Sequence, residues 1–203
     1  SLETEEEWPK ELMGLSLKNV TLNAYNKKKK LVYSELGEML FTHFGVSGPL
    51  VLSASSRIAD DPAGARLTID LKPGLDADEL DHRLVRDFQQ NSRKSFQNAL
   101  DGLFPRRMIP VMVQLSGIAA DTETNSVTRE QRHAFAALIK CVPITVKAAM
   151  PIDQAIITRG GINVKEIDPS TMESKLVSGL YFAGEVIDVD AYTGGFNIQI
   201  ACS

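Results

Sequence analysis

The hydrophobic period of this chain changes twice, and that change limits the fold more than any other feature. Up to about residue 72 apolar and polar positions alternate. Leu15, Leu17, Val20, Leu22 and Tyr25 stand between polar residues, Asn26–Lys30 makes a turn, and Leu31–Leu36 returns as a second strand. Glu38–Phe44 is apolar enough for a buried strand, and Arg66–Leu71 alternates again. Between them, Ser47-Gly48-Pro49 is a helix start: Ser47 or Gly48 can cap, and Pro49 fits the first turn, where a missing N–H costs nothing. The helix expected over Leu50–Ile58 stops before the turn cluster Asp60-Asp61-Pro62-Ala63-Gly64.

From Asp76 the spacing becomes helical. Leu80, Leu84 and Phe88 recur on one face, Phe96, Leu100 and Leu103 mark a second helix, and Pro105 opens a third through Met108, Ile109, Met112 and Val113. Thr128-Arg129-Glu130-Gln131 fits a capping box for a fourth helix ending near Lys140. Val142–Val146 and Ala155–Thr158 then resume the strand pattern, with Pro143 pointing to a sheet edge or a strand start. The order strands, helices, strands describes an α+β chain: a β domain with a helical insertion.

Composition narrows the function classes. The 203 residues carry a formal charge of -4 and show no aromatic–basic stripe, so no nucleic-acid partner is expected. The one basic run, Lys27–Lys30, reads either as a solvated hairpin tip or as a phosphate-binding patch. No apolar run reaches the roughly 18 residues of a transmembrane helix, and the acidic start lacks the plan of a secretory signal, so a cytoplasmic protein without membrane contact is expected. Cys141 and Cys202 have apolar sequence neighbours and are expected to be buried thiols rather than a disulfide or metal framework. His82 and His133 have no Cys or His at ligand spacing, so no metal site is expected.

The chemistry concentrates near the end of the chain. An apolar run, Leu180–Ala183, reads as a buried strand ending in Gly184-Glu185. A carboxylate there can accept hydrogen bonds from ribose or ribityl hydroxyls, while Gly184 lets a ligand approach the backbone; a strand-end turn with a solvated Glu185 uses the same residues. Farther on, Thr193-Gly194-Gly195-Phe196-Asn197 opens a helix whose free N–H groups and dipole would stabilise the negative edge of a reduced flavin, or else forms a glycine-rich loop chosen for turn geometry. Asp188 and Asp190, between the two, read as a solvated loop, and Arg106-Arg107 as an exposed pair or an anion contact. His43, beside the Ser47–Pro49 turn, is either a structural histidine or a proton donor to substrate.

Three stretches together resemble the BaiN/YhiN-like NAD(P)/FAD-dependent oxidoreductases. They are GLYFAGE at Gly179–Glu185 with TGGFNIQ at Thr193–Gln199, GEMLFTHFGVSGPLVL at Gly37–Leu52, and AIITRGGINVKEI at Ala155–Ile167 running into Ser174-Lys175. The resemblance implies a β-barrel-like domain over 1–75 and 141–160, a helical insert over 76–140, and a C-terminal strand-helix segment of a Rossmann-like FAD domain over 161–203. It also implies that Glu185, with Gly184, binds the ribityl or phosphate region of FAD. By the same resemblance Thr193, Gly194, Gly195, Phe196 and Asn197 meet the pyrimidine edge, and Gly160 and Gly161, after Thr158-Arg159, lie near the isoalloxazine. For the tight Gly160-Gly161 pair a plain turn between strands remains the other reading.

The activity so implied is hydride transfer from NAD(P)H through FAD to an unknown small-molecule acceptor such as a C=C bond, in a bacterial enzyme. The Gly-x-Gly-x-x-Gly fingerprint that cradles the pyrophosphate is absent from these residues. The chain is therefore expected to be a piece whose partner is the N-terminal FAD-binding region of the same protein. Alone, it is expected to bind FAD weakly or not at all and to be inactive. The reading from another class is a non-catalytic module that binds a ligand or partner.

Overall fold

In a computed structural model, the protein is described at residues 1–151, 160–189 and 199. Six strands close into an antiparallel barrel: β1 (Leu2–Thr4), β2 (Ser16–Tyr25), β3 (Leu31–Phe41), β4 (Gly45–Ser47), β5 (Arg66–Asp70) and β6 (Val142–Ala149). Their order around the barrel is β1-β4-β3-β2-β5-β6, with β6 returning to β1 through the pairs Leu2↔Ala149 and Thr4↔Val146. Closure joins the first and last strands, although β4 covers β3 only at Leu40 and Phe41 and β5 covers β2 only over Thr21–Tyr25. Leu22, Ala24, Met39, Phe41, Leu67, Ile69, Ile144 and Val146 point inward and are buried.

Two short strands, β1 and β4, were not expected from the sequence, because three residues are too few for alternation to show. A further difference concerns β3. It runs unbroken for 11 residues, where two separate strands were expected. The continuity comes from a β-bulge in the partner: Leu17 pairs with Met39 and Val20 with Gly37, so Lys18 and Asn19 together face Glu38. Asn19 takes up the extra residue with φ 56, which Asn tolerates better than most side chains. Pro143 sits at the start of β6, opposite Thr68, and not at an edge.

Helix α1 (Trp8–Glu11) follows β1, and α2 (Pro49–Arg57) packs Leu50, Val51 and Ala54 against the barrel. Gly48 is the N-cap of α2 at φ 93, and a Cβ there would come within 3.0 Å of the Leu40 amide nitrogen and the Met39 Cα. Only glycine meets both demands, so the Ser47-Gly48-Pro49 signal is a close-packing device as well as a helix start.

The helical insert leaves β5 and returns to β6. It comprises α3 (Ala77–Gln90), α4 (Phe96–Ala99), α5 (Ile109–Ser116) and α6 (Arg129–Lys140). Both α3 and α6 carry full capping boxes, Asp76 with Glu79 and Thr128 with Gln131. Phe135 of α6 meets Phe96 and Phe104 edge-on, at ring separations of 5.1 and 6.2 Å, which builds the insert's core around one ring. At the root of the insert, the Lys140 ammonium donates to the carbonyls of Lys72 and Leu75 and pairs with Asp70 at 2.6 Å. Cys141, expected to be buried, is exposed, because it ends α6 on the side turned away from the core. Among the described residues no helix is long and apolar enough to cross a membrane.

Candidate functional site

Residues 160–189 form few regular elements, and their geometry comes from hydrogen bonds between distant segments. The Ile162 N–H donates to Val186 O (2.8 Å) and the Asp188 N–H to Ile162 O (2.9 Å), which makes a parallel bridge between Ile162 and Ile187. That bridge lays Gly160-Gly161 alongside the turn Gly184–Ile187, which the Ile187 N–H closes onto Gly184 O. The structure therefore brings together Gly160, Gly161, Gly184 and Glu185, which the sequence presents as two separate signals. A Cβ on Gly161 would stand 2.3 Å from Val186 O, so the two segments can touch only because that residue is glycine.

Gly160 and Gly184 differ from Gly161 in a way that bears on binding. A Cβ built at either meets nothing within 4 Å, so both present open backbone. Glu185, at the tip of the turn, is exposed. Asp188 has a role that the sequence did not reveal: its carboxylate accepts from the Gly160 N–H at 3.2 Å and so holds the glycine pair against the turn. Open backbone beside an exposed carboxylate is suited to a ligand rich in hydroxyl groups, which needs acceptors and close approach.

The strand expected at Leu180–Ala183 is corrected by the structure. Leu180 and Tyr181 are exposed, at 43% and 60%, and the one bridge here is Glu173↔Tyr181. A buried parallel strand needs parallel neighbours on its flanks, and among the described residues this run has only the short antiparallel contact with Met172–Ser174. Thr193, Gly194, Gly195, Phe196 and Asn197 lie outside the described residues, as do Asp190, Cys202 and the strand expected at Ala155–Thr158.

His43 sits on the tight connection between β3 and β4, where the Thr42 N–H donates to Gly45 O (2.8 Å) and the Gly45 N–H back to Thr42 O (3.3 Å). It is exposed, and its ring meets the edge of Phe44 at 5.0 Å. The imidazole is thus presented outward on a fixed turn, away from the core position that a structural histidine would take. No contact joins it to the Gly160–Asp188 cluster among the described residues. The remaining candidates are held structurally. Arg107 donates to the carbonyls of Glu11 and Met13, tying the insert to α1, and His133 lies 3.5 Å from Asp81, which Arg132 grips with two hydrogen bonds. That grip holds the Asp81 carboxyl below its usual range.

Comparison with known proteins agrees with this architecture. The family described as HI0933-like protein barrel and H2TH domain matches residues 1–157. A "3-dehydro-bile acid delta(4,6)-reductase" of Clostridium scindens is 27% identical over 176 residues, covering 85% of this chain and 43% of that protein. A "Ribosomal RNA dihydrouridine synthase" of Haemophilus influenzae is 32% identical over 192 residues, covering 95% of this chain and 45% of its own length. The Escherichia coli protein of the same description is 32% identical over 165 residues, with 81% and 40% covered. The chain thus spans less than half the length of the curated relatives it matches.

Proposed function

Since the chain belongs to the HI0933-like barrel and H2TH family, we propose that it is the substrate-side part of a flavin-dependent oxidoreductase. In this reading it carries one wall of the FAD site, and the rest of the site comes from the region that the relatives have in addition. The observation that carries the reading is the junction of Gly160-Gly161 with Gly184–Asp188. The residues present fit the hydroxyl-rich part of FAD: Gly160 and Gly184 offer open backbone, and Glu185 offers a carboxylate to accept from ribityl hydroxyls. Thr193–Asn197 would complete this wall at the pyrimidine edge of the ring.

When bound, FAD would accept a hydride from NAD(P)H and pass it on. The chain's own residues bind and orient. Asp188 fixes the Gly160 backbone, Glu185 would hold the hydroxyl chain, and the exposed Leu180, Tyr181 and Val186 would pack against the region that the relatives have in addition and exclude water. His43 would deliver a proton to the substrate carbon that does not receive the hydride. The names of the relatives, a delta(4,6)-reductase and a dihydrouridine synthase, fit the reduction of a carbon–carbon double bond, so the acceptor class we propose is a conjugated C=C bond.

The test is expression of the protein together with the region its relatives carry in addition. Purified, it should be yellow, consume NAD(P)H and pass electrons to a conjugated alkene. Glu185→Gln should weaken FAD binding about tenfold, the loss of one charged hydrogen-bond partner. His43→Asn should slow turnover while leaving flavin reduction by NAD(P)H unchanged. A colourless protein, or bound flavin that reduces no alkene, would refute the reading.

A further inference from the structure

We infer that the β2–β3 end of the barrel is a docking surface for a single-stranded RNA segment. This deepens the proposed function by naming the class of molecule that presents the double bond, and it rests on that reading for the chemistry, though not for the binding.

The surface is built from residues far apart in the chain. Leu31 pairs with Tyr25, Tyr25 with Arg66, and Arg66 with Thr145, so the four side chains form a row across four strands, β3, β2, β5 and β6. Their chain neighbours Ala24, Leu67, Ile144 and Val146 are buried inside the barrel, which places the row on the outer face. Leu31 and Arg66 are exposed and Tyr25 is half-buried. Next to this row stands the Lys27–Lys30 tip, and it is a fixed loop. The Lys29 N–H donates to Asn26 O (2.8 Å), the Lys30 N–H to the Asn26 side chain (3.0 Å), and the Asn26 N–H to Lys30 O (3.1 Å). Lys29 itself is held at φ 60, a conformation that few side chains adopt.

Of the four exposed ammonium groups, Lys27 is paired with Asp61. Lys28, Lys29 and Lys30 have no acidic partner among the described residues, and neither does Arg66. Cations beside an aromatic ring and an apolar side chain are the chemistry of single-strand recognition: phosphates meet the ammonium groups while a base stacks on the ring. The sequence-based expectation of no nucleic-acid partner rests on the net charge of -4 and on a missing aromatic–basic stripe. The fold assembles such a stripe from Tyr25, Arg66 and the lysines, and screening limits the distant acidic charges to about 8 Å. An anionic membrane would also meet lysines, but it needs a broad apolar face to insert, and Leu31 with one tyrosine is a small one. The two similar proteins described as ribosomal RNA dihydrouridine synthases favour the nucleic acid.

The test uses the 203-residue chain and a short fluorescein-labelled oligouridylate, followed by anisotropy across a salt series. Binding at low salt is expected. The variant K28Q/K29N/K30Q should weaken it about tenfold or more and shrink the log–log salt slope by about 2, the release expected for three phosphate contacts. Tyr25→Leu, which keeps the apolar bulk and removes the ring, should cost about tenfold. Arg86→Ala, on exposed α3, should change nothing, and unaltered circular dichroism would show that every variant is folded. Any of four results overturns the proposal: no binding; binding indifferent to the lysine variant; a duplex bound as tightly as the single strand; or lysine-dependent binding to phosphatidylserine vesicles but not to RNA. A longer protein that binds RNA yet reduces no alkene would strike the catalytic reading instead.

Discussion

Removing the ammonium of Lys140 should loosen the root of the helical insert. Its nitrogen lies 2.6 Å from an Asp70 oxygen, 3.0 Å from Lys72 O and 2.6 Å from Leu75 O. Lys140→Met keeps the methylene stem and removes all three contacts. The two carbonyls sit in half-buried chain and can regain water, so each costs about 0.5 kcal/mol. The Asp70 side chain is only 14% exposed and would keep one donor, the Lys72 N–H at 2.9 Å. A largely buried carboxylate losing its cation costs about 1–2 kcal/mol at this depth, below the range for full burial and above that for surface pairs. The sum is about 2–3 kcal/mol. With a urea dependence of about 2 kcal/mol per molar, the unfolding midpoint should fall by about 1–1.5 M. Asp70→Asn alone should cost less, and the double variant should show at least about 1 kcal/mol of coupling. A midpoint change under about 0.2 M, or strictly additive effects, would mean that the clasp does not hold the insert.

Three further outcomes can be checked. Because Arg132 holds the Asp81 carboxyl low, the pair's contribution is complete above the ordinary value near ~4 and is lost as pH falls through the lower folded value. Asp81→Asn should therefore lower the urea midpoint at pH 7 and flatten its decline toward about pH 3, whereas a parallel decline would refute the assignment. Gly48→Ala combines left-handed backbone with a 3.0 Å approach to β3, so thermal melting should reveal a loss of at least about 2 kcal/mol. Cys141, exposed at the end of α6, should react with a thiol reagent in the folded protein, and Cys141→Ser should abolish that labelling phase.

Local chemistry was legible in the sequence where it acts over one turn. The Thr128 capping box and the Pro49 helix start need only neighbours three or four residues away, and both stand where the pattern put them. Long-range register was not legible. Nothing in the sequence pairs Tyr25 with Arg66, sets Ile162 beside Ile187, or sends Asp188 to the Gly160 amide. The undivided β3 was hidden for the same reason, since the bulge that carries it past Glu38 belongs to the opposite strand. Apolar neighbours misled twice, at Cys141 and at Leu180–Ala183. In both places the apolar residues are adjacent along the chain, but the burial they suggested depends on what packs from elsewhere.

The pairing of Leu2 with Ala149 gives the barrel a seam between its first and last strands. The loop that this seam closes is nearly the whole barrel and insert, so its rungs carry the largest closure entropy. The two strands run antiparallel, and their outer ends are side by side. Tension drawing those ends apart therefore opens the seam like a zipper, one rung at a time, instead of shearing all rungs at once. Tension applied to both ends together turns the barrel as one body and leaves the seam intact. Whatever adjoins the barrel thus has two ways to act on it, tilting it at little cost or unpicking it from a single corner.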